Sequence, residues 1–142
     1  SDHAPHSAEE KKKDLWSAPA GMVNIETMVP LMIDAVNAGK ITWQELVRVL
    51  SAGPARMYGL YPRKGAIQIG ADADIVLVDP EREWTVDQEK LQSRTKLSAY
   101  HGMTLKGKIE RTILRGHTVM NNGQICGNAE GRFVRPDKEE KA

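Results

Sequence analysis

Lys64-Gly65-Ala66-Ile67-Gln68-Ile69-Gly70-Ala71-Asp72-Ala73-Asp74-Ile75-Val76-Leu77-Val78-Asp79-Pro80 is the stretch where the chain changes its repeat. Residues 65–70 read as a short strand between two glycines. Residues 71–73 read as a turn, and residues 74–79 as a continuous β-branched run closed by a proline. Such an uninterrupted apolar run predicts a buried strand. Upstream of Lys64 the apolar residues recur at three- and four-residue steps, and downstream the pattern is that of strands and tight turns. Helices first and strands afterwards predict two units, with a break near residues 60–64.

Upstream, Ile25, Met28, Val29, Met32, Ile33 and Val36 form one apolar stripe, predicting a helix over 24–38. Asn24 suits its N-cap and Gly39 its end. Pro30 conflicts with this helix, since it has no N–H to donate, and predicts a bend or a delayed start. Thr42-Trp43-Gln44-Glu45 is a capping box, followed by a buried stripe over Leu46, Val47, Val49 and Leu50. Pro54 fits the first turn of a third short helix ending near Gly59.

Downstream, Trp84-Thr85-Val86 predicts a short strand, 87–106 an irregular stretch and 109–116 a strand, with Gly116 marking a bulge or turn before residues 117–120. Asn122-Gly123 is a type I′ hairpin signal, with Gln124-Ile125-Cys126 returning. Residues 137–142 read as a disordered charged tail.

Composition excludes several function classes. The chain has 142 residues, 40% hydrophobic and 27% charged, with a formal net charge of +1. It is a globular composition with no electrostatic footprint for nucleic acid or an anionic membrane. Lys11-Lys12-Lys13 follows Glu9-Glu10 and reads as a solvated mixed-charge stretch. A single cysteine, Cys126, permits neither an intrachain disulfide nor a cysteine zinc site. No apolar run approaches bilayer length, and the polar opening does not resemble a signal peptide, so a cytoplasmic location is expected. The chain opens on reactive-looking residues without an initiator methionine, and sequence upstream of it is therefore expected.

Those opening residues, Ser1-Asp2-His3-Ala4-Pro5-His6, place one carboxylate and two imidazoles within five positions. A carboxylate can ligate a metal or accept a proton from water, and imidazoles can ligate or donate. The competing reading is an exposed polar terminus. His101 and His117 read as structural, Glu26 and Thr27 as helix-start residues that favour the dipole, and Cys126 as a hairpin-arm thiol without a base beside it. Neither phosphate-loop pattern nor a nucleophile elbow is present.

Three segments in order resemble the cyclic amidohydrolases: dihydroorotase, allantoinase, hydantoinase and dihydropyrimidinase. Ser1-Asp2-His3-Ala4-Pro5-His6 is similar to the end of the eighth barrel strand in dihydroorotases. Gly21-Met22-Val23-Asn24-Ile25-Glu26-Thr27-Met28-Val29-Pro30-Leu31 resembles the family's glycine-rich stretch and following core. Lys64 to Asp79 resembles the signature at which the chain leaves the barrel for a small β-sandwich. The resemblance implies an α/β plus β chain: the C-terminal end of a (β/α)8 TIM-type barrel in residues 1–62, then part of a β-sandwich domain with a returning segment in 63–136.

For function, the resemblance implies reversible hydrolysis of dihydroorotate to N-carbamoyl-aspartate, with two zinc ions as cofactor. It makes Asp2 both a metal ligand and the general acid/base, with His6, Ala20 and Gly21 binding the substrate. His6 would hold the exocyclic carboxylate, and the backbone of Ala20 and Gly21 the ring. His3 would turn away into a supporting role. Asn24 departs from the dihydroorotase pattern, which has glycine there, and keeps allantoinase and hydantoinase activities as alternatives. The other metal ligands of the family lie on earlier strands, so these 142 residues alone are expected to be inactive. The expected partner is a small cyclic amide, with homo-oligomers formed by the full-length protein. Two rival readings are a non-catalytic scaffold and a small β-rich binding module.

Overall fold

A computed structural model describes residues 2–136; the tail expected over 137–142 lies outside the described residues, as does Ser1. The elements in chain order are α1 (Ala8–Lys11), α2 (Met28–Asn37), α3 (Trp43–Val47), α4 (Gly53–Met57), β1 (Ile75–Thr85), β2 (Thr104–Leu114), β3 (His117–Asn121) and β4 (Gln124–Ile125). The strands form one sheet in the order β1-β2-β3-β4. The chain divides into two compact units, each built from two stretches. One takes Ser1–Asn37 and Pro80–Lys108, the other Ala38–Asp79 and Ile109–Ala142. Their outline does not follow the break expected near residues 60–64, since each unit joins an early, helical stretch to a late, strand-bearing one.

In the first unit, α2 begins at Met28 rather than Asn24, with residues 25–27 forming a turn. Pro30 is the reason. Starting there puts it in the first turn, where an amide N–H has no intrahelical partner to lose, and no bend is needed. The helix then docks on the start of β2. Ile33 is buried, and an added Cβ on Gly107 would lie 2.2 Å from its Cγ2. The Asp34 carboxylate accepts the Lys106 N–H at 2.8 Å, and the Asn37 amide donates to the carbonyls of Pro80 and Lys106, both at 2.8 Å. Val23, Val86, Leu91 and Leu105 complete this core. Burial of an aliphatic side chain of this size contributes about 1.5–3 kcal/mol.

Trp84 and Thr85 belong to one long strand with Ile75–Asp79, because β1 runs straight through Pro80. The strand order makes β1 an edge, where a residue without an N–H is tolerated. Nor is the run buried as its composition predicts: Val76 and Leu77 are 50% and 44% exposed, since the described residues lay no complete layer over them. The strand expected at 65–70 does not form either. Ile67 and Ile69 are exposed, and no described strand pairs with them.

In the second unit, the Thr42–Glu45 capping box forms as predicted, the Glu45 carboxylate accepting the Thr42 N–H at 2.8 Å. These hydrogen bonds hold the Glu45 carboxyl below its ordinary pKa. The two helices predicted on either side of Gly53 are continuous. A π-helical segment, Arg48–Ala52, joins α3 to α4. Its wider turn carries the helix into Pro54, which would otherwise clash with a carbonyl one turn back. The turn at residues 72–74 is bolted to the hairpin turn at Arg115-Gly116. Asp74 accepts the Arg115 N–H at 2.8 Å, and Gly116 donates to the Ala73 carbonyl at 3.0 Å. Lys64 Nζ lies 2.7 Å from an Asp72 oxygen and also binds Asp74.

Both hairpin turns are two residues long with left-handed backbones, at Arg115-Gly116 (φ 47° and 85°) and Asn122-Gly123 (φ 48° and 82°). They set Leu114 opposite His117 and Asn121 opposite Gln124, the register that the Asn-Gly pair predicts. A bulge interrupts β2 pairing between Thr112 and Ile113.

Gly107→Ala is expected to destabilise the protein by about 2 kcal/mol, because the new methyl overpacks Ile33 at a left-handed backbone position. Gly131→Ala, in open space, is expected to leave the denaturation midpoint unchanged. The Lys64 ion network predicts a pH dependence. Burial pushes Lys64 down, but hydrogen bonds to Asp72 and Asp74 outweigh it and hold the ammonium above its ordinary value. The Lys64 hydrogen bond holds Asp72 below its ordinary value. Stabilisation by the depressed carboxylate is present above about pH 3.9 and lost as pH falls through its folded value. That by the raised ammonium is present below about pH 10.4 and lost as pH rises through its folded value. Asp72→Asn should therefore lower the melting temperature at neutral pH, with the deficit shrinking in acid, as melting curves across pH would show.

Candidate functional site

The four residues predicted to act on substrate all lie in the first unit, on two short segments that run side by side. Residue 3 pairs in parallel with Met22, and the Ala4 N–H donates to the Met22 carbonyl at 2.9 Å. This approach requires Gly21. Its φ is 97°, and a Cβ there would stand 2.4 Å from the Ala4 Cβ. Glycine is the residue that adopts this backbone without strain and leaves the space open. Asp2 begins the first segment, exposed and with a left-handed φ of 49°, which aspartate tolerates better than most residues. His6 ends it, partly buried after a tight turn in which its N–H donates to the Ala4 carbonyl at 2.9 Å. Ala20 is exposed, just before Gly21 on the second segment.

His3 points into the turn before α2. Its Nδ1 accepts the N–H groups of Asn24 at 3.2 Å and Ile25 at 3.3 Å. That occupies the nitrogen and fixes the angle between the two segments. Thr27 is buried, its hydroxyl donating to the Asn24 carbonyl at 3.2 Å.

Directly after His6, Ser7 caps α1 in a capping box with Glu10: the Ser7 Oγ accepts the Glu10 N–H at 3.2 Å, and the Glu10 carboxylate accepts the Ser7 N–H at 2.8 Å. These bonds hold the Glu10 carboxyl below its ordinary pKa. Lys11, at the end of α1, is not the solvated cation its charged surroundings predict. Its ammonium donates to the Pro19 carbonyl at 2.7 Å and to the Gly21 carbonyl.

Glu26 also departs from expectation. Instead of facing the helix start, its carboxylate accepts the N–H groups of Gln92 at 2.8 Å and Ser93 at 2.7 Å. From the loop so held, the Thr95 hydroxyl donates to the Pro5 carbonyl at 3.3 Å. Lys11, Glu26 and Thr95 were missed because each acts on main-chain atoms distant in sequence. Only Lys11 left a local signal, since Ser7-Ala8-Glu9-Glu10 has the spacing of a capping box.

The remaining candidates do not join this site. His101 Nδ1 accepts the Gln88 N–H at 3.2 Å. His117 opens β3, and Cys126 Sγ lies 3.5 Å from the Thr118 carbonyl. No group of three or more histidine, cysteine, aspartate or glutamate side chains suited to hold a metal occurs among the described residues. With His3 Nδ1 engaged, Asp2 and His6 on this stretch do not by themselves amount to a metal cage. No described helix is long and apolar enough to cross a membrane.

The chain is 39% identical to a dihydroorotase of Pyrococcus furiosus over 142 residues, which is 99% of this chain and 33% of that protein. It is 38% identical to an allantoinase of Rubrobacter xylanophilus over 98% of this chain and 31% of that protein. Among solved structures, the L-hydantoinase (dihydropyrimidinase) of Arthrobacter aurescens superimposes with a TM-score of 0.86 at 36% identity, covering 89% of this chain and 29% of that one. The chain thus spans about a third of the curated relatives it matches. The family model described as the amidohydrolase family matches residues 1–119, and this chain belongs to that family.

Proposed function

We propose that the protein carrying this chain hydrolyses a cyclic amide, interconverting dihydroorotate and N-carbamoyl-aspartate, and that this chain supplies its acid/base and part of its substrate pocket. The observation that carries the reading is the pairing of residues 3–4 with 21–22, which keeps Asp2, His6 and the Ala20-Gly21 backbone on adjacent segments. The relatives' names support the chemistry, each denoting an enzyme of a cyclic amide or ureide.

In this reading the Asp2 carboxylate takes a proton from the water that adds to the ring carbonyl, then returns it to the ring nitrogen as the C–N bond breaks. One carboxylate can serve both transfers because the proton lost by water is the one the leaving nitrogen needs. His6 donates to the exocyclic carboxylate of the substrate, and the backbone of Ala20 and Gly21 meets the ring at a position no side chain crowds. The two zinc ions expected by resemblance, held mainly by residues outside this chain, would polarise the carbonyl and activate the water.

The same reading places residues 1–62 at the closing end of a (β/α)8 barrel and residues 63–136 in a β-sandwich. The exposed Val76 and Leu77 of β1, with Ile67 and Ile69, suit surfaces that other parts of a longer chain cover. It also implies a cytoplasmic homo-oligomer, inactive when reduced to these 142 residues.

Asp2→Asn in the full-length protein is expected to reduce kcat by at least about a hundredfold with little change in melting temperature, since general acid–base groups contribute about 10²–10⁴-fold. Steady-state assays with dihydroorotate, allantoin and hydantoin check this and name the substrate. His6→Ala is expected to damage dihydroorotate turnover far more than hydantoin turnover, because hydantoin itself has no carboxylate to hold. Equal losses would remove the carboxylate role and favour the hydantoinase or allantoinase alternative. Wild-type protein that binds no metal and turns over none of the three would be a non-catalytic scaffold.

A further inference from the structure

We infer that Lys11 is a positioning residue for the substrate pocket: its ammonium clamps the loop at residues 19–21 in the shape that presents the Ala20-Gly21 backbone. The inference rests on the proposed role of that backbone in binding substrate. It adds a residue that the charge pattern assigns to solvent.

Three observations combine. First, the anchor of the clamp is fixed relative to His6. Ser7 follows His6 directly and caps α1 through a reciprocal pair of hydrogen bonds with Glu10, so one helical turn separates the pocket histidine from Lys11. Second, the ammonium binds two carbonyls that bracket Ala20, those of Pro19 and Gly21, in a partly buried place. Two carbonyls facing one cation are fixed as a pair, and hydrogen bonds to a charged donor are stronger than neutral ones. Third, the loop between anchor and clamp is tied only locally, through Asp14, which accepts the N–H groups of Trp16 at 3.0 Å and Ser17 at 3.2 Å. Leu15 and Trp16 are 85% and 92% exposed and pack on little within the chain. The ends of the 12–18 connection are thus held by the capping box and the ammonium rather than by a core.

Lys11 touches main-chain atoms and is not placed against the reacting ring. Its removal should weaken substrate binding in the ground state and the transition state alike, raising KM and sparing kcat. Lys11→Met keeps the apolar stem and removes the charge. In the full-length enzyme it is expected to raise KM about tenfold, as the loss of charged hydrogen bonds warrants, with kcat within about twofold. Lys11→Arg, which keeps charge and donors, should recover most of that loss, and Lys12→Met on the exposed neighbour should behave as wild type.

Hydrogen exchange supplies a readout independent of activity: the amides of residues 20–22 should exchange faster in Lys11→Met and at the wild-type rate in Lys12→Met. Unchanged exchange there, or a KM no higher than that of Lys12→Met, would overturn the clamp. Wild-type protein that turns over no cyclic amide would instead overturn the proposed function, and exchange alone would then decide whether Lys11 shapes the loop.

Discussion

The close approach of Ala4 to Gly21 is the constraint on which the site depends. Two backbone segments far apart in sequence come within a methyl group of each other, and only a residue lacking Cβ, with a left-handed φ, allows it. Given that contact, the Ala4 N–H meets the Met22 carbonyl, and His3 reaches the amides of Asn24 and Ile25. Asp2 and His6 are left on either side of the paired residues. Lys11 holds the far segment, while Thr95, steadied through Glu26, holds Pro5 on the near one. The chemistry-bearing groups contribute little to this scaffold. It is made from main-chain hydrogen bonds and from side chains, those at positions 3, 11, 26 and 95 among them, that satisfy main-chain atoms.

What was legible in the sequence follows from the range of the interaction that decides each feature. The Thr42–Glu45 box, the Asn122-Gly123 hairpin and the apolar face of α2 depend on residues within a few positions, and they appear where the pattern puts them. Pro54 was legible as a helix opener and does stand in the first turn of α4, whereas Pro30 was legible as a conflict with two possible outcomes. The helix start moves by four residues, the delayed start rather than the bend, and composition does not choose between the two; nor does it announce the π-helical segment that leads into α4.

The strand predicted at 65–70 and the burial predicted for 74–79 failed for a different reason. Both depend on what lies alongside, and Ile67, Ile69, Val76 and Leu77 are exposed in this chain. His3 turns inward, as its place beside Asp2 suggested. Lys11 and Glu26 were not legible, because a charged side chain in a charged neighbourhood looks solvated until the carbonyls or amides it serves are known.

The interleaving of the two units bears on how such a protein can be divided. Each is assembled from an early and a late stretch, with the chain passing from one to the other after Asn37, Asp79 and Lys108. No single cut separates them. A break between Asp79 and Pro80 severs β1 and leaves each half-chain with one piece of both units, so neither product contains a whole core. Gene fusions, tags or split reporters inserted there would test complementation between halves rather than the autonomy of a domain.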